Sequence, residues 1–358
     1  MHHACGRFVF RDFLNFQQNY YLSGMDIQNR LLEQLKAKLP HDMSLGRLLM
    51  DDLDLSRDSA YRRARGETAL KPEEIRLLCS KYDLSIDKII GVSGQSVTFQ
   101  YNPIQRSEFS FDNYLNGIME GYKRMAAQRT SELFMSYLDL VIFQLLNSPA
   151  LIRFKLMYFA KCYLKIPKLD NEKYYKGWKG DISDESLQQM LQFYIRIKST
   201  EVVGFDAGKG LVREIVSFYE LGYFASKEDA LYLLDETEKV ILHIQAQAEI
   251  GRKFIIGQPV ITDEDSFKLY LHQTYIQDNT IIAETNAYRM LYITHNMMNY
   301  LYTIDQDYVN KSFSVFQSML KSCICISTEN PRQRNSYFES LTQFINRARL
   351  RLEDTELF

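Results

Sequence analysis

The feature that most constrains this chain is the punctuation between Ile27 and Ile90, where residues that start and stop helices recur at short intervals. Apolar residues at helical spacing (Ile27, Leu31, Leu32, Leu35) predict a first helix over residues 27–39, and Pro40 stops it. Ser44 is placed to cap a second helix over 44–51, and Ser56 a third over 56–65. Pro72 suits a first helical position, with Glu73 and Glu74 behind it to meet the positive helix end, and opens a fourth over 72–82. Ser85 before Ile86 and Asp87 opens a fifth over 85–90. Segments this short and this closely spaced predict a small all-helical domain.

The third of these segments carries unusual chemistry. Residues 55–67 read LSRDSAYRRARGE. On a helix beginning at Ser56, Ala60 and Ala64 fall one turn apart and face inward, small enough to let the helix close on Leu45, Leu48 and Leu49. The other side then shows Asp58, Ser59, Arg62 and Arg65, flanked by Tyr61 and Arg63. Residues 57–71 hold five cations (Arg57, Arg62, Arg63, Arg65, Lys71) against Asp58 and Glu67, a net of +3, while the preceding turn carries Asp51, Asp52 and Asp54. A DNA major groove admits one such helix, phosphates attract its cations, and arginine bridges two acceptors of guanine.

The order of these elements resembles the DNA-binding domain of lambda-repressor-like (Cro-type) helix-turn-helix regulators. The resemblance rests on a helix ending in Arg65-Gly66-Glu67, then Pro72-Glu73-Glu74-Ile75, a Leu77-Leu78 core, and Leu84-Ser85-Ile86-Asp87 opening the last helix. It covers residues 27–90, about a sixth of the chain. It implies a five-helix domain that binds double-stranded DNA, with Arg57, Asp58, Tyr61 and Arg62 reading bases and Ser59, Arg63, Arg65 and Lys71 anchoring phosphates. Two features depart from the family pattern. The turn Asp52-Leu53-Asp54-Leu55 lacks the glycine often found there, and Ala60 or Arg63 stands where the family often has a large apolar residue.

Residues 92–110 lose helical periodicity and collect Gly, Ser, Asn and Pro, which predicts a linker after a DNA-binding domain of residues 25–91. Residues 111–250 read as a helical region. It has two long helices within 111–148, on Tyr114, Ile118, Tyr122 and Met125 and then Leu133, Tyr137, Leu140, Val141 and Leu145. Further helices are expected over 151–164, 183–198, 210–221 and 227–248, the last capped by Ser226. The pattern changes after Gly251. Short runs at 253–262, 267–276, 280–284 and 288–294, rich in β-branched and aromatic residues and separated by Asp and Asn, predict an antiparallel meander of about four strands. Helices resume near 297 and 307, and a strong one covers 332–352. The expected fold is mainly α with a smaller α+β part: an N-terminal helix-turn-helix domain, a helical middle, and a C-terminal antiparallel sheet with helices over 251–358.

Charge and composition narrow the chemistry. With 43 Lys and Arg against 45 Asp and Glu, no global basic field advertises nucleic acid, so any polyanion site must be local. Cys5, Cys79, Cys162, Cys323 and Cys325 are odd in number and scattered, as expected of reduced cytoplasmic thiols. Cys323 and Cys325 would share one buried strand face and lack the second pair that a zinc site needs. Residues 202–210, VVGFDAGKG, are rich in glycine without the G-x-x-x-x-G-K-[ST] order of a phosphate loop and read as a surface loop. No segment is long and apolar enough to predict a membrane span, and Arg7, Arg11 and Asp12 spoil a signal peptide. Met25 immediately precedes the first periodic helix and is the expected translation start, which leaves residues 1–24 as an extension or arm.

The last part, strands followed by a helix over 307–320 and then Cys323-Ile324-Cys325-Ile326, weakly resembles noncatalytic phospholipase-D-like sensor domains. The histidine signature of active members is absent, because His243, His272 and His295 each lack a lysine two positions on. No paired catalytic set is visible, so neither an enzyme nor a cofactor is expected. The expectation is a cytoplasmic, homodimeric regulator of transcription that binds duplex DNA, with a C-terminal region that dimerises or senses a small-molecule or protein effector. The aromatic wealth after residue 111 suits a ligand pocket and, more ordinarily, a core. A protein-interaction adaptor, with the helical domain binding a protein partner, remains the alternative.

Overall fold

The computed structural model describes residues 24–354 apart from 38, 40–42, 83, 91–96, 102–103, 105–108, 127, 129, 261–263, 275–278, 287 and 297. The expected arm, Gly24 excepted, and much of the expected linker lie outside the described residues. The chain divides into two compact units between Val97 and Thr98.

In the first unit the helices are α1 (Gly24–Ala37), α2 (Leu45–Leu53), α3 (Arg57–Ala64), α4 (Pro72–Lys81) and α5 (Ile86–Ile90). Three of the predicted helix starts are made as the sequence reads them. The Ser44 side chain accepts from the Arg47 N–H and that of Ser56 from the Ser59 N–H, and Pro72 opens α4. Where the family's glycine is missing, Asp54 takes the left-handed conformation (φ 50°) and its N–H satisfies the Met50 carbonyl. Asp is among the few residues other than glycine that visit this region at modest cost. Ala60 is fully buried against Leu45, Leu48 and Leu49, together with Leu31, Leu35 and Leu78. A large residue at 60 would hold α2 and α3 apart.

The second unit is built on one mixed sheet, in the order β1-β7-β6-β5-β2-β3-β4-β8. Its strands are β1 (Gln100–Tyr101), β2 (Ser131–Tyr137), β3 (Lys198–Gly204), β4 (Phe267–His272), β5 (Thr280–Thr285), β6 (Arg289–His295), β7 (Asn299–Thr303) and β8 (Ile324–Cys325). Strands β2, β3 and β4 run parallel, and the other pairings are antiparallel. Helix α6 (Phe111–Ala126) precedes β2. Helices α7 (Ile142–Leu145), α8 (Pro149–Tyr158) and α9 (Asp184–Arg196) connect β2 to β3, and α10 (Lys209–Glu220) and α11 (Lys227–Ile250) connect β3 to β4. Helix α12 (Gln306–Leu320) follows β7, and α13 (Pro331–Asp354) ends the described chain. Leu133, Met135 and Tyr137 of β2 face a large core shared with α8, α10, α11 and α13. The opposite face carries Phe134, Val202, Ile282 and Leu291, covered by Val309, Phe313 and Phe316 of α12.

This architecture corrects several expectations. The second helix expected within 111–148 is instead strand β2, and β3 also lies in the region expected to be helical. Both strands are covered on their two faces, and neither SELFMSY nor KSTEVVG shows the apolar-polar alternation of a half-buried strand. The meander has three strands, β5 to β7, because β4 pairs with β3 and β8 instead. Residues 253–260 form no strand, and the helix expected near 297 is replaced by β7. The expected linker includes β1, which pairs with β7. The loop at 202–210 is not a surface loop: Ala207 and Gly208 are buried, and Tyr337 donates to the Ala207 carbonyl. Among the described residues no helix is long and apolar enough to cross a membrane.

A buried polar cluster ties β2 to β3. Glu201, without solvent access, accepts from the hydroxyls of Tyr137 (2.7 Å), Tyr194 (2.8 Å) and Ser199 (2.7 Å) and from the Gln144 amide (2.7 Å). Lys253 is buried beside it, with Nζ 3.8 Å from the Tyr194 ring centroid and donating to the Ile197 carbonyl at 2.8 Å. Burial pushes this ammonium down to about 7.

Candidate nucleic-acid interface

Helix α3 exposes the side that its inward alanine leaves free. Arg57, Asp58, Arg62, Arg65 and Lys71 are all exposed. The Arg57 guanidinium lies over the Tyr61 ring at 5.8 Å. Tyr61 is half-buried: its ring covers Gly46, where an added Cβ would sit 2.8 Å from ring carbons, and its hydroxyl stands 3.3 Å from the Ser44 Oγ. Tyr61 therefore fastens α3 to the start of α2 while its edge borders the cationic face.

The geometry corrects the role expected of Arg63, the phosphate anchor that turns inward. Only 8% exposed, it forms a two-pronged ion pair with Glu74 (3.1 and 3.2 Å) and donates to the Ser59 Oγ at 2.5 Å. The same Glu74 accepts the Lys71 N–H at 2.8 Å and so caps α4. One arginine thus locks α3 to the start of α4, and the hydroxyl of Ser59 serves that lock. A cation can occupy this inward position because its guanidinium reaches the Glu74 carboxylate past the helix it stands on.

Two residues that shape this surface have contacts that sequence reasoning did not assign. Gln28 of α1 is buried, its amide donates to the Arg63 (3.2 Å) and Thr68 (2.9 Å) carbonyls, and its oxygen accepts the Leu70 N–H at 2.8 Å. It fixes the chain leaving α3. Its signal was a polar residue inside the apolar stripe of α1, in line with Leu31 and Leu35. Glu67 is the second. It takes a two-pronged bond from Arg65 (2.6 and 3.1 Å) and lies 3.8 Å from Arg62. The bond from Arg65 holds its carboxyl below the usual range. One carboxylate on the cationic face thus engages two of its arginines.

No family model, curated protein or solved structure matches this chain.

Proposed function

We propose that the chain is a sequence-specific DNA-binding regulator of transcription, with α3 as the element that enters the major groove and the second unit as its sensing or dimerising body. The observation that carries this reading is the two-sidedness of α3. A buried Ala60 lets the helix lie close on α2, and Arg57, Arg62, Arg65 and Lys71 stand exposed around the opposite side. Arg57, Asp58 and Arg62 are its base readers, with the edge of Tyr61 beside them, and Arg65 and Lys71 contact phosphate. Arg63 and Ser59 support the helix from within.

One such helix touches few base pairs, so the reading includes a homodimer on a two-fold related site. Selection of binding sites from random duplex DNA is expected to return a palindromic motif. Arg62→Ala is expected to weaken binding by about 1 to 3 kcal/mol and to relax preference at one position of each half-site. No enrichment over random sequence, or an unchanged motif and affinity in that variant, contradicts the assignment.

A further inference from the structure

The second unit contains a cavity of about 830 Å³ between α6 and the face of the sheet formed by β5, β6 and β7. That volume falls in the range of small-molecule sites, which run from about 300 to 1,000 Å³. Tyr292, Tyr300 and Tyr302 form its aromatic wall, with ring centroids 5.7 to 6.4 Å apart. The register explains the grouping: Tyr292 pairs with Tyr302, and Tyr300 lies two residues away on the same face.

Helix α6 supplies the opposite wall and carries the most telling feature. Gly117 and Gly121, one turn apart, both line the cavity, and a Cβ at either would meet nothing within 4 Å. Glycine inside a helix is unfavourable by about 1 kcal/mol relative to alanine. Among the described residues no neighbouring atom requires either one to be small; Gly121 is half-buried and Gly117 is exposed at the rim of the cavity. What their absent side chains preserve is open space beside a tyrosine wall.

The charged end of the cavity sets the ligand's sign. Asp139 lies just beyond β2, and Lys155 and Glu214 come from α8 and α10. Lys155 is engaged by both Glu214 oxygens (2.6 and 2.8 Å) and stands 3.8 Å from Asp139 Oδ2. The other Asp139 oxygen accepts the Gly208 N–H at 2.7 Å. Among the described residues Oδ2 makes only the long contact to Lys155 and lies against Gly210, where an added Cβ would meet it. Two carboxylates against one ammonium leave a net charge of minus one, or zero when Glu214, whose carboxyl burial pushes upward, holds its proton. The cluster is not positive near neutral pH. The Lys155 ammonium rests 4.9 Å from the Phe159 ring centroid, held between that aromatic face and the Glu214 carboxylate.

We infer that this cavity binds a small amine with an apolar, aromatic body, its ammonium directed to Asp139 Oδ2 and its rings laid between the tyrosine wall and the glycine face of α6. Carboxylates and phosphate esters of the same shape are excluded, because they bring a negative charge to a site with no positive surplus. The inference gives a ligand class to the sensing body of the proposed regulator, and it is tested without DNA.

Calorimetry on the full chain with three matched probes, 1-naphthylethylamine, 1-naphthaleneethanol and 1-naphthylacetate, provides the test. The amine is expected to bind at least tenfold more tightly than the alcohol, and the acetate not at all. Gly117→Leu and Gly121→Leu are expected to abolish amine binding. Gly117→Ala is expected to fold with an unchanged or higher Tm while weakening the amine several-fold. Asp139→Asn, which keeps an oxygen for the Gly208 N–H, is expected to erase the preference for amine over alcohol. Absence of amine binding, equal or tighter binding of the acetate, or amine binding untouched by the glycine and Asp139 variants overturns the inference. DNA affinity measured on the same preparations separates this failure from failure of the DNA-binding reading.

Discussion

The two units bury apolar surface on different scales, and the difference shows in where each can tolerate imperfection. The first packs short helices around a few leucines and Ala60, and polar fastenings set its geometry: Gln28 on the loop after α3, Arg63 on Glu74, and Asp52 with Lys81 and Tyr82. The second surrounds a sheet with core on both faces and retains an 830 Å³ cavity and two helix-interior glycines beside it. Small domains bury a smaller share of their surface and have little stability in reserve. The polar fastenings of the small unit therefore sustain its functional surface, whereas the large unit has enough packing to hold an unfilled space.

The strongest way to break this contrast is Glu74→Ala, which strands the Arg63 guanidinium in the interior. Loss of one partner of a buried pair costs about 3 kcal/mol or more. That is expected to melt the small unit and abolish DNA binding while the large unit's unfolding transition stays in place. Arg349→Ala, which frees Asp235 and Glu238 on α11, is expected to shift the large unit's Tm by only a few degrees. Circular dichroism melts of both variants check the pair. A large unit as fragile as the small one ends the comparison.

A second effect belongs to the large unit alone. Lys253 titrates near 7 when folded and near 10.5 when unfolded, so between these values the unfolded chain binds the extra proton. Stability is therefore expected to rise with pH from about 7 to about 9. Above that, the half-buried thiols of Cys162, Cys323 and Cys325 and tyrosines such as Tyr137, all raised by burial, act in the opposite sense. Urea midpoints across this range are expected to climb in the wild type and to flatten in Lys253→Met.

The smallest effect sharpens the small unit's side. Glu67→Gln releases Arg65 and Arg62 from an internal competitor on the exposed face. DNA binding is expected to tighten and its salt dependence to steepen by about one phosphate contact. Fluorescence anisotropy at two salt concentrations reads both.

The units also differ in how much of each could be read from sequence. Caps are local: Ser44, Ser56, Pro72 and Ser226 each act within four residues, and each was readable. The cationic side of α3 was equally readable, because helical spacing places Arg57, Arg62 and Arg65 once Ala60 is turned inward. The inward swing of Arg63 was not, since it depends on Glu74 across the interhelix turn. In the large unit, β2 and β3 are partners separated by α7 to α9, and burial on both faces removes the alternation that marks a strand. Leu133, Tyr137, Leu140 and Val141 fit a helical stripe as well as they fit β2 and the turn after it. The cavity was not readable for the same reason, as its walls come from α6 and from strands more than a hundred residues later.

The central claim, that the exposed side of α3 engages duplex DNA through its cations, is tested most directly by the salt dependence of binding to a selected duplex. With about 0.9 of a counterion released per phosphate neutralised, the two phosphate contacts of Arg65 and Lys71 are expected to make log K fall with log salt at a slope of about −2 for each head. The slope should collapse when Arg57, Arg62, Arg65 and Lys71 are changed together to glutamine in a chain that stays folded. Binding indifferent to salt, or a slope that survives the fourfold change, contradicts the claim.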